Sequence, residues 1–109
     1  MNKFEQELKN NNFVCSRCTR CNKMVWPPSD LCNKCFDNVV WVPVSRNARL
    51  VEFSRKDEEY FGIAEFDGGI RVMGTIQSAS ILHVGQPLIL TRCSYDGVEK
   101  FVFSTCKEK

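Results

Sequence analysis

The chain has 109 residues, with 15 basic against 13 acidic side chains for a formal charge of +2, and 43% of it is apolar. That leaves room for one ordinary domain, or for a small metal module joined to a compact second unit, and nothing in it approaches the ~18 consecutive apolar residues of a membrane-spanning helix. Seven cysteines would suggest disulfides in a secreted chain, but their odd number, the metal-like spacing of four of them and the absence of an apolar leader in MNKFEQELKN predict a soluble protein of the reducing cytoplasm.

Residues 3–9, KFEQELK, place Phe4 and Leu8 on one face of about two turns of helix, with Glu5 and Glu7 early. So short a helix is marginal alone. It is expected to pack on the module that follows, the alternative being an arm for a partner. Asn10-Asn11-Asn12 ends it, because Asn competes for backbone hydrogen bonds and tolerates positive φ.

Phe13 to Arg17 reads as a strand that leads into two Cys-x2-Cys pairs, Cys18/Cys21 and Cys32/Cys35, with ten residues between the inner cysteines. Each such turn brings two sulfurs to one ion, and four thiolates complete a tetrahedron around Zn2+. Cys15 and Cys18 share the same spacing, but Asn22 after Cys21 suits the left-handed turn of a knuckle better than Thr19 would. Cys15 is then expected as a half-buried strand residue. With all four positions of the metal filled there is no place for a catalytic water, so the metal is expected to be structural zinc, with iron as the rival for a four-sulfur site. Four thiolates around a dication also cancel the formal charge, leaving little for counterion release on nucleic acid.

Between the pairs, Trp26 precedes Pro27-Pro28, a stiffened connection. Trp26 is expected to cover the metal or to pack on the neighbouring unit. From Val39 onward the chain alternates apolar and polar residues in five strands, roughly 39–54, 60–66, 70–77, 88–93 and 98–106. Asp67-Gly68-Gly69 and Tyr95-Asp96-Gly97 serve as hairpin turns. A long strand, a hairpin, the short crossover Ser78–Pro87 and a second hairpin describe a small Greek-key barrel of the OB type. The predicted division is residues 1–38 for helix and ribbon and 39–109 for the barrel.

Together, Cys18, Cys21, Trp26-Pro27-Pro28, Cys32, Cys35, the run Tyr60–Ile76 and the run Val84–Leu90 make a chain that resembles the DUF35 family along nearly its whole length. The resemblance implies a mainly β protein: a rubredoxin-like zinc ribbon, then a five-stranded OB-fold barrel, with one short N-terminal helix. It implies an accessory or scaffold subunit that binds thiolase-family enzymes and acyl-CoA, as in the archaeal assembly of acetoacetyl-CoA thiolase with hydroxymethylglutaryl-CoA synthase. Related bacterial domains accompany thiolases and hydratases. Two departures stand out. The family often has Gly after the second cysteine of each pair, where this chain has Asn22 and Phe36, and Phe36 predicts a less regular second knuckle. Ser45-Arg46-Asn47-Ala48 replaces a Gly-rich bend.

His83 has no recognisable nucleophile or orienting carboxylate, and no phosphate loop or carboxylate dyad is present, so the chain is expected not to be an enzyme. Cys93 and Cys106 are expected to lie too far apart for a disulfide, with Cys93 opposite a residue near Glu99. Arg46, Arg49, Arg71 and Arg92 are candidates for a CoA phosphate or an acidic partner, or are ordinary exposed strand residues. The alternative function is a zinc-ribbon/OB protein that binds single-stranded nucleic acid, to which the aromatics Phe53, Tyr60, Phe61, Phe66, Phe101 and Phe103 would contribute.

Overall fold

The computed structural model describes residues 3–32, 34–78 and 81–105. One helix, α1 (Lys3–Lys9), precedes β1 (Val14–Cys18), β2 (Met24–Val25) and β3 (Val39–Pro43). These three strands form an antiparallel sheet in the order β2-β1-β3. The remaining strands, β4 (Asn47–Lys56), β5 (Glu59–Phe66), β6 (Ile70–Gln77), β7 (Pro87–Tyr95) and β8 (Glu99–Thr105), close into a barrel in the order β4-β5-β6-β8-β7. Counted from β4, this is strand order 1-2-3-5-4, with β6 and β8 paired in parallel. It is the connectivity of the OB-fold, so the expected architecture of ribbon plus OB barrel is present.

Local chemistry accounts for most of these elements. Phe4 and Leu8 are buried on one face of α1, as their spacing requires. The β5–β6 turn has Gly68 and Gly69 at φ +87° and +80°, a region that costs glycine nothing. Across β5 and β6, Gly62 opposes Gly74 on the inner face. A Cβ at Gly74 would lie 2.5 Å from the Phe101 carbonyl oxygen, so absence of a side chain is what lets β6 and β8 approach.

The expected strand over 39–54 is two strands in two sheets, which corrects the sequence reading. Val39–Pro43 pairs with β1 from Cys18↔Val39 to Val14↔Pro43. The chain then leaves the ribbon, with the Val44 amide donating to the Phe13 carbonyl at 2.9 Å, and restarts at Asn47 in the barrel. Composition shows that a segment is extended but not which sheet receives it, and both runs here are rich in residues that favour strands.

Ribbon and barrel share one core. Phe13, 3% exposed, meets Phe66 and Phe101 of the barrel at ring-centroid distances of 5.0 and 5.3 Å, Trp26 at 6.3 Å and Phe4 at 6.5 Å. Cys15, Leu50, Ile70, Leu88 and Phe103 belong to the same buried cluster. Helix α1 therefore packs against β7 as well as β1, rather than on the ribbon alone. Its end is tied to the barrel by Asn11, at φ +63°. The Asn11 Oδ1 accepts from the Cys93 amide at 2.9 Å, and its carbonyl accepts from Arg46, which also donates to the Leu90 carbonyl. A second, smaller cluster surrounds the cysteines: Cys18, Val25 and Cys32, with Cys35 and Val39 against them.

Candidate metal centre and adjoining surface

The two Cys-x2-Cys segments fold into matching turns. In the first, the Cys18 amide donates to the Lys23 carbonyl at 3.0 Å and the Asn22 amide to the Cys18 carbonyl at 3.0 Å. In the second, the Cys32 amide donates to the Asp37 carbonyl at 3.0 Å and the Phe36 amide to the Cys32 carbonyl at 2.9 Å. Asn22 and Phe36 occupy the same place and the same left-handed conformation, φ +62° and +57°. The expectation of a less regular second knuckle is therefore corrected. The turn imposes positive φ whatever residue stands there, and Phe36 accepts it while 75% exposed. An ion pair between Arg20 and Asp37 at 3.4 Å and the Thr19 hydroxyl donating to the Asn38 carbonyl at 3.0 Å join the two halves.

This geometry brings the four sulfurs within 4.8 Å of one another. Cys18 and Cys35 approach to 3.2 Å and Cys21 and Cys32 to 3.9 Å. A tetrahedral ion with metal–sulfur bonds of about 2.3 Å separates its ligands by about 3.8 Å, so spacing and donor set fit a metal ion. Backbone amides prepare the thiolates. The Cys21 amide, with that of Arg20, points at the Cys18 sulfur and draws its pKa down to about 6 despite burial. Cys32 is lowered by the amides of Cys35 and Lys34. Cys35 is drawn down by the Asp37 amide, but the neighbouring Cys18 sulfur and burial outweigh this and hold it up at about 12. Like charges this close cannot all ionise by themselves, and a dication between them removes that obstacle. Cys18 and Cys32 are buried, Cys35 is partly buried against them, and Cys21 is the most exposed of the four.

The other residues singled out from the sequence lie elsewhere. Cys15 is fully buried rather than half-buried, its thiol donating to the Val25 carbonyl at 3.1 Å, and burial pushes its pKa up to about 11. Trp26 packs edge-on against Phe4 at 5.8 Å, in the shared core and not over the cysteines. Arg46 is spent on the backbone contacts of Asn11 and Leu90, Arg71 pairs with Glu65 at 2.9 Å, Arg49 reaches the Gly85 carbonyl at 3.5 Å, and Arg92 is exposed. His83 is exposed on the loop before β7, its amide donating to Gln86. Cys93 opposes Phe101, in the register that the hairpin sets with its Tyr95↔Glu99 pair, and Cys106 lies outside the described residues.

Sequence reasoning missed two features. Ser16, fully buried in β1, accepts the Ser29 amide at 3.1 Å and so holds the segment after Pro27-Pro28. Met73, 68% exposed, lies where three surface depressions of about 320 to 360 Å3 meet on the outside of the barrel. One runs toward Phe61 and Ile63, and another toward Trp26, Pro27 and Pro28. The outward parity of Met73 in IRVMGTIQ was the available signal for it. Charges around this surface alternate, Glu52, Glu65 and Glu99 against Lys56, Arg71 and Lys100, which is not the basic stripe that nucleic acid requires.

No family model matches the sequence, and no curated protein matches it. Solved structures share its fold, two of them as follows. The Ltp2–ChsH2(DUF35) aldolase is 16% identical, with a TM-score of 0.77 and 96% of each chain covered. A DUF35-family protein of unknown function from Sulfolobus solfataricus is also 16% identical, with a TM-score of 0.67 over 92% of this chain and 81% of the other. The resemblance drawn from the cysteines and the barrel is thus met at the level of the fold. The expectation that the chain is not an enzyme is overturned, since a chain matched along 96% of its length is described as part of an aldolase. The absence of a nucleophile–base pair in one polypeptide does not decide the matter, because an assembly can draw its reacting groups from more than one chain. Among the described residues, no helix is long and apolar enough to cross a membrane.

Proposed function

From the DUF35 fold that this chain shares, we propose that it works as a subunit of an enzyme assembly, docked on a thiolase-family enzyme and contributing to the handling of its acyl-CoA. The observation that carries this reading is the match over 96% of both chains to a chain of the structure described as Ltp2–ChsH2(DUF35) aldolase. Cys18, Cys21, Cys32 and Cys35 hold zinc in this proposal, and the ion supplies cross-linking of the two turns, since four thiolates leave no position for a reacting group. The acyl portion is assigned to the depressions around Met73, whose walls are Phe61, Ile63, Trp26 and Phe101. Clefts of this volume lined by apolar side chains with a few charged groups at the rim suit a ligand with one apolar and one anionic end. Hydroxymethylglutaryl-CoA synthase is the further partner the resemblance suggests, and the reducing cytoplasm is the compartment that suits unoxidised cysteines.

The test is co-production of the chain with the thiolase-family enzymes of its native cell, followed by size-exclusion chromatography and isothermal calorimetry of the complex against acetyl-CoA and acetoacetyl-CoA. A stable complex is expected, with acyl-CoA affinity weakened about ten-fold or more by Met73→Glu. Absence of any complex, together with no acyl-CoA binding, refutes the reading.

A further inference from the structure

The four clustered sulfurs are not equally supported. Cys18 is fully buried, and its sulfur accepts the amides of Arg20 and Cys21, each at 3.4 Å. Cys32, 2% exposed, accepts the Lys34 amide at 3.5 Å, and the Asp37 amide is directed at Cys35. Among the described residues no backbone amide donates to the Cys21 sulfur, and Cys21 is the most exposed of the four. Amide hydrogen bonds withdraw charge from a thiolate, and burial keeps reagents away from it, so the unsupported outer sulfur is the one that reacts first. That sulfur meets the Cys32 sulfur, across the gap between the two turns, at 3.9 Å.

The chain between these two cysteines is anchored by contacts that need no metal. It carries β2, whose Val25 pairs with Ser16, and the Val25 carbonyl accepts the Cys15 thiol at 3.1 Å. Further along, the Ser29 amide donates to the Ser16 hydroxyl at 3.1 Å. The turns themselves are joined by the Arg20–Asp37 ion pair at 3.4 Å and by the Thr19 hydroxyl on the Asn38 carbonyl at 3.0 Å. A sulfur released from the metal therefore stays within reach of its neighbour across the gap. The same segment contributes Trp26, Pro27 and Pro28 to one of the depressions beside Met73, so its state bears on that surface.

We propose that Cys21 and Cys32 form a thiol–disulfide switch within the metal site, with Cys21 as the thiolate that attacks hydrogen peroxide and Cys32 as the thiolate that resolves it, and that the switch discharges the metal. In the first step the Cys21 sulfur attacks one peroxide oxygen, the O–O bond breaks, and a sulfenic acid and a hydroxide result. In the second the Cys32 sulfur attacks the Cys21 sulfur, the S–O bond breaks, and a disulfide and a second hydroxide result. Two thiolates give up two electrons, and the peroxide that takes them leaves as two hydroxides, protonated to water. Cys18 and Cys35 are then the only donors left of the four, and they take up protons as Zn2+ departs. The disulfide closes the ten-residue segment between the inner cysteines. The inference rests on the zinc assigned to these cysteines above and not on the partner enzyme.

The experiment uses the full-length chain loaded with Zn2+. Under N-ethylmaleimide, peptide mapping should show Cys21 labelled at least about ten-fold faster than Cys18, Cys32 or Cys35. Under hydrogen peroxide, Zn2+ should pass to a chromogenic chelator as a Cys21–Cys32 disulfide appears, mapped by mass spectrometry after alkylation of the remaining thiols. Dithiothreitol with added Zn2+ should restore the loaded form. Cys21→His keeps a zinc ligand that peroxide does not convert to a disulfide, and should slow the release about ten-fold or more, whereas Cys35→His should leave it within about three-fold. The labelling order and the mapped linkage decide the matter on the unaltered sequence even where a variant fails to load. A first linkage of Cys18–Cys21, Cys32–Cys35 or Cys18–Cys35, or labelling in which Cys21 does not lead, overturns the inference. So does Zn2+ that peroxide fails to release, and in each of these cases the zinc assignment stands. A chain that binds no Zn2+ at all overturns the zinc assignment and the switch together, and leaves docking on a partner enzyme to its own test.

Discussion

Replacing Phe13 by alanine should unfold ribbon and barrel together, because that ring is where they meet. Phe13 is 3% exposed, and its four ring neighbours come from α1, the segment before Pro27, β5 and β8. Truncating a buried phenylalanine costs about 3–5 kcal/mol. The edge-on contacts belong to that cost, and the upper half is expected because neighbours anchored in four different elements cannot all collapse into the void. A loss of about 4 kcal/mol is a large share of the about 5–15 kcal/mol that holds such a domain together. With a urea slope of about 2 kcal/mol per M, the midpoint should fall by about 2 M. Trp26 and Trp41 pack against the shared core, so their fluorescence reports on the ribbon side while far-ultraviolet circular dichroism reports mainly on the barrel. Both should shift by the same amount, with metal present in every sample. A loss under about 1 kcal/mol, or a ribbon transition that moves while the barrel transition does not, refutes a common core.

Other consequences are as direct. Titration with Co2+ should give one tetrathiolate ion per chain, read from thiolate-to-metal charge-transfer bands, and Cys32→Ser should abolish that spectrum while Cys15→Ser leaves it unchanged. Gly74→Ala should lose about 1–3 kcal/mol in urea denaturation through overpacking, since its Cβ would lie 2.5 Å from the Phe101 carbonyl and 2.8 Å from the Phe103 ring. Cys15 gives a pH dependence with a definite sign. Burial raises its folded pKa to about 11 from an ordinary value of 9.0. The protonated thiol is the form the fold accepts, so its contribution is fully present below pH 9 and declines as pH rises through 11. The urea midpoint of Cys15→Ser should fall less steeply than that of the wild type over this interval, and parallel curves would count against the buried thiol as the cause.

Much of the architecture is decided over short stretches of chain and is legible there. The four clustered cysteines stand out because a Cys-x2-Cys turn needs only its own amides to gather two sulfurs, and Asp67-Gly68-Gly69 marks a hairpin because its φ values suit glycine. Phe4 and Leu8 announce the buried face of α1 by spacing alone. Phe36 shows the limit of such rules, since propensity disfavours an aromatic at positive φ and the second turn adopts it nonetheless, with the same hydrogen bonds as the first.

What only the tertiary structure decided involves partners distant in sequence. Val39–Pro43 is extended by composition, but its place beside β1 depends on Phe13 and Val44 meeting across the ribbon. Phe13 looks like the start of a strand and becomes the contact between two units, because Phe66 and Phe101 of the barrel pack against its ring. The meeting of three depressions at Met73 follows from barrel closure and from the packing of the Trp26-Pro27-Pro28 segment on it in the same way. Turn geometry and periodicity act between residues a few positions apart, whereas core sharing, sheet membership and exposure are set by which surfaces the whole chain buries together.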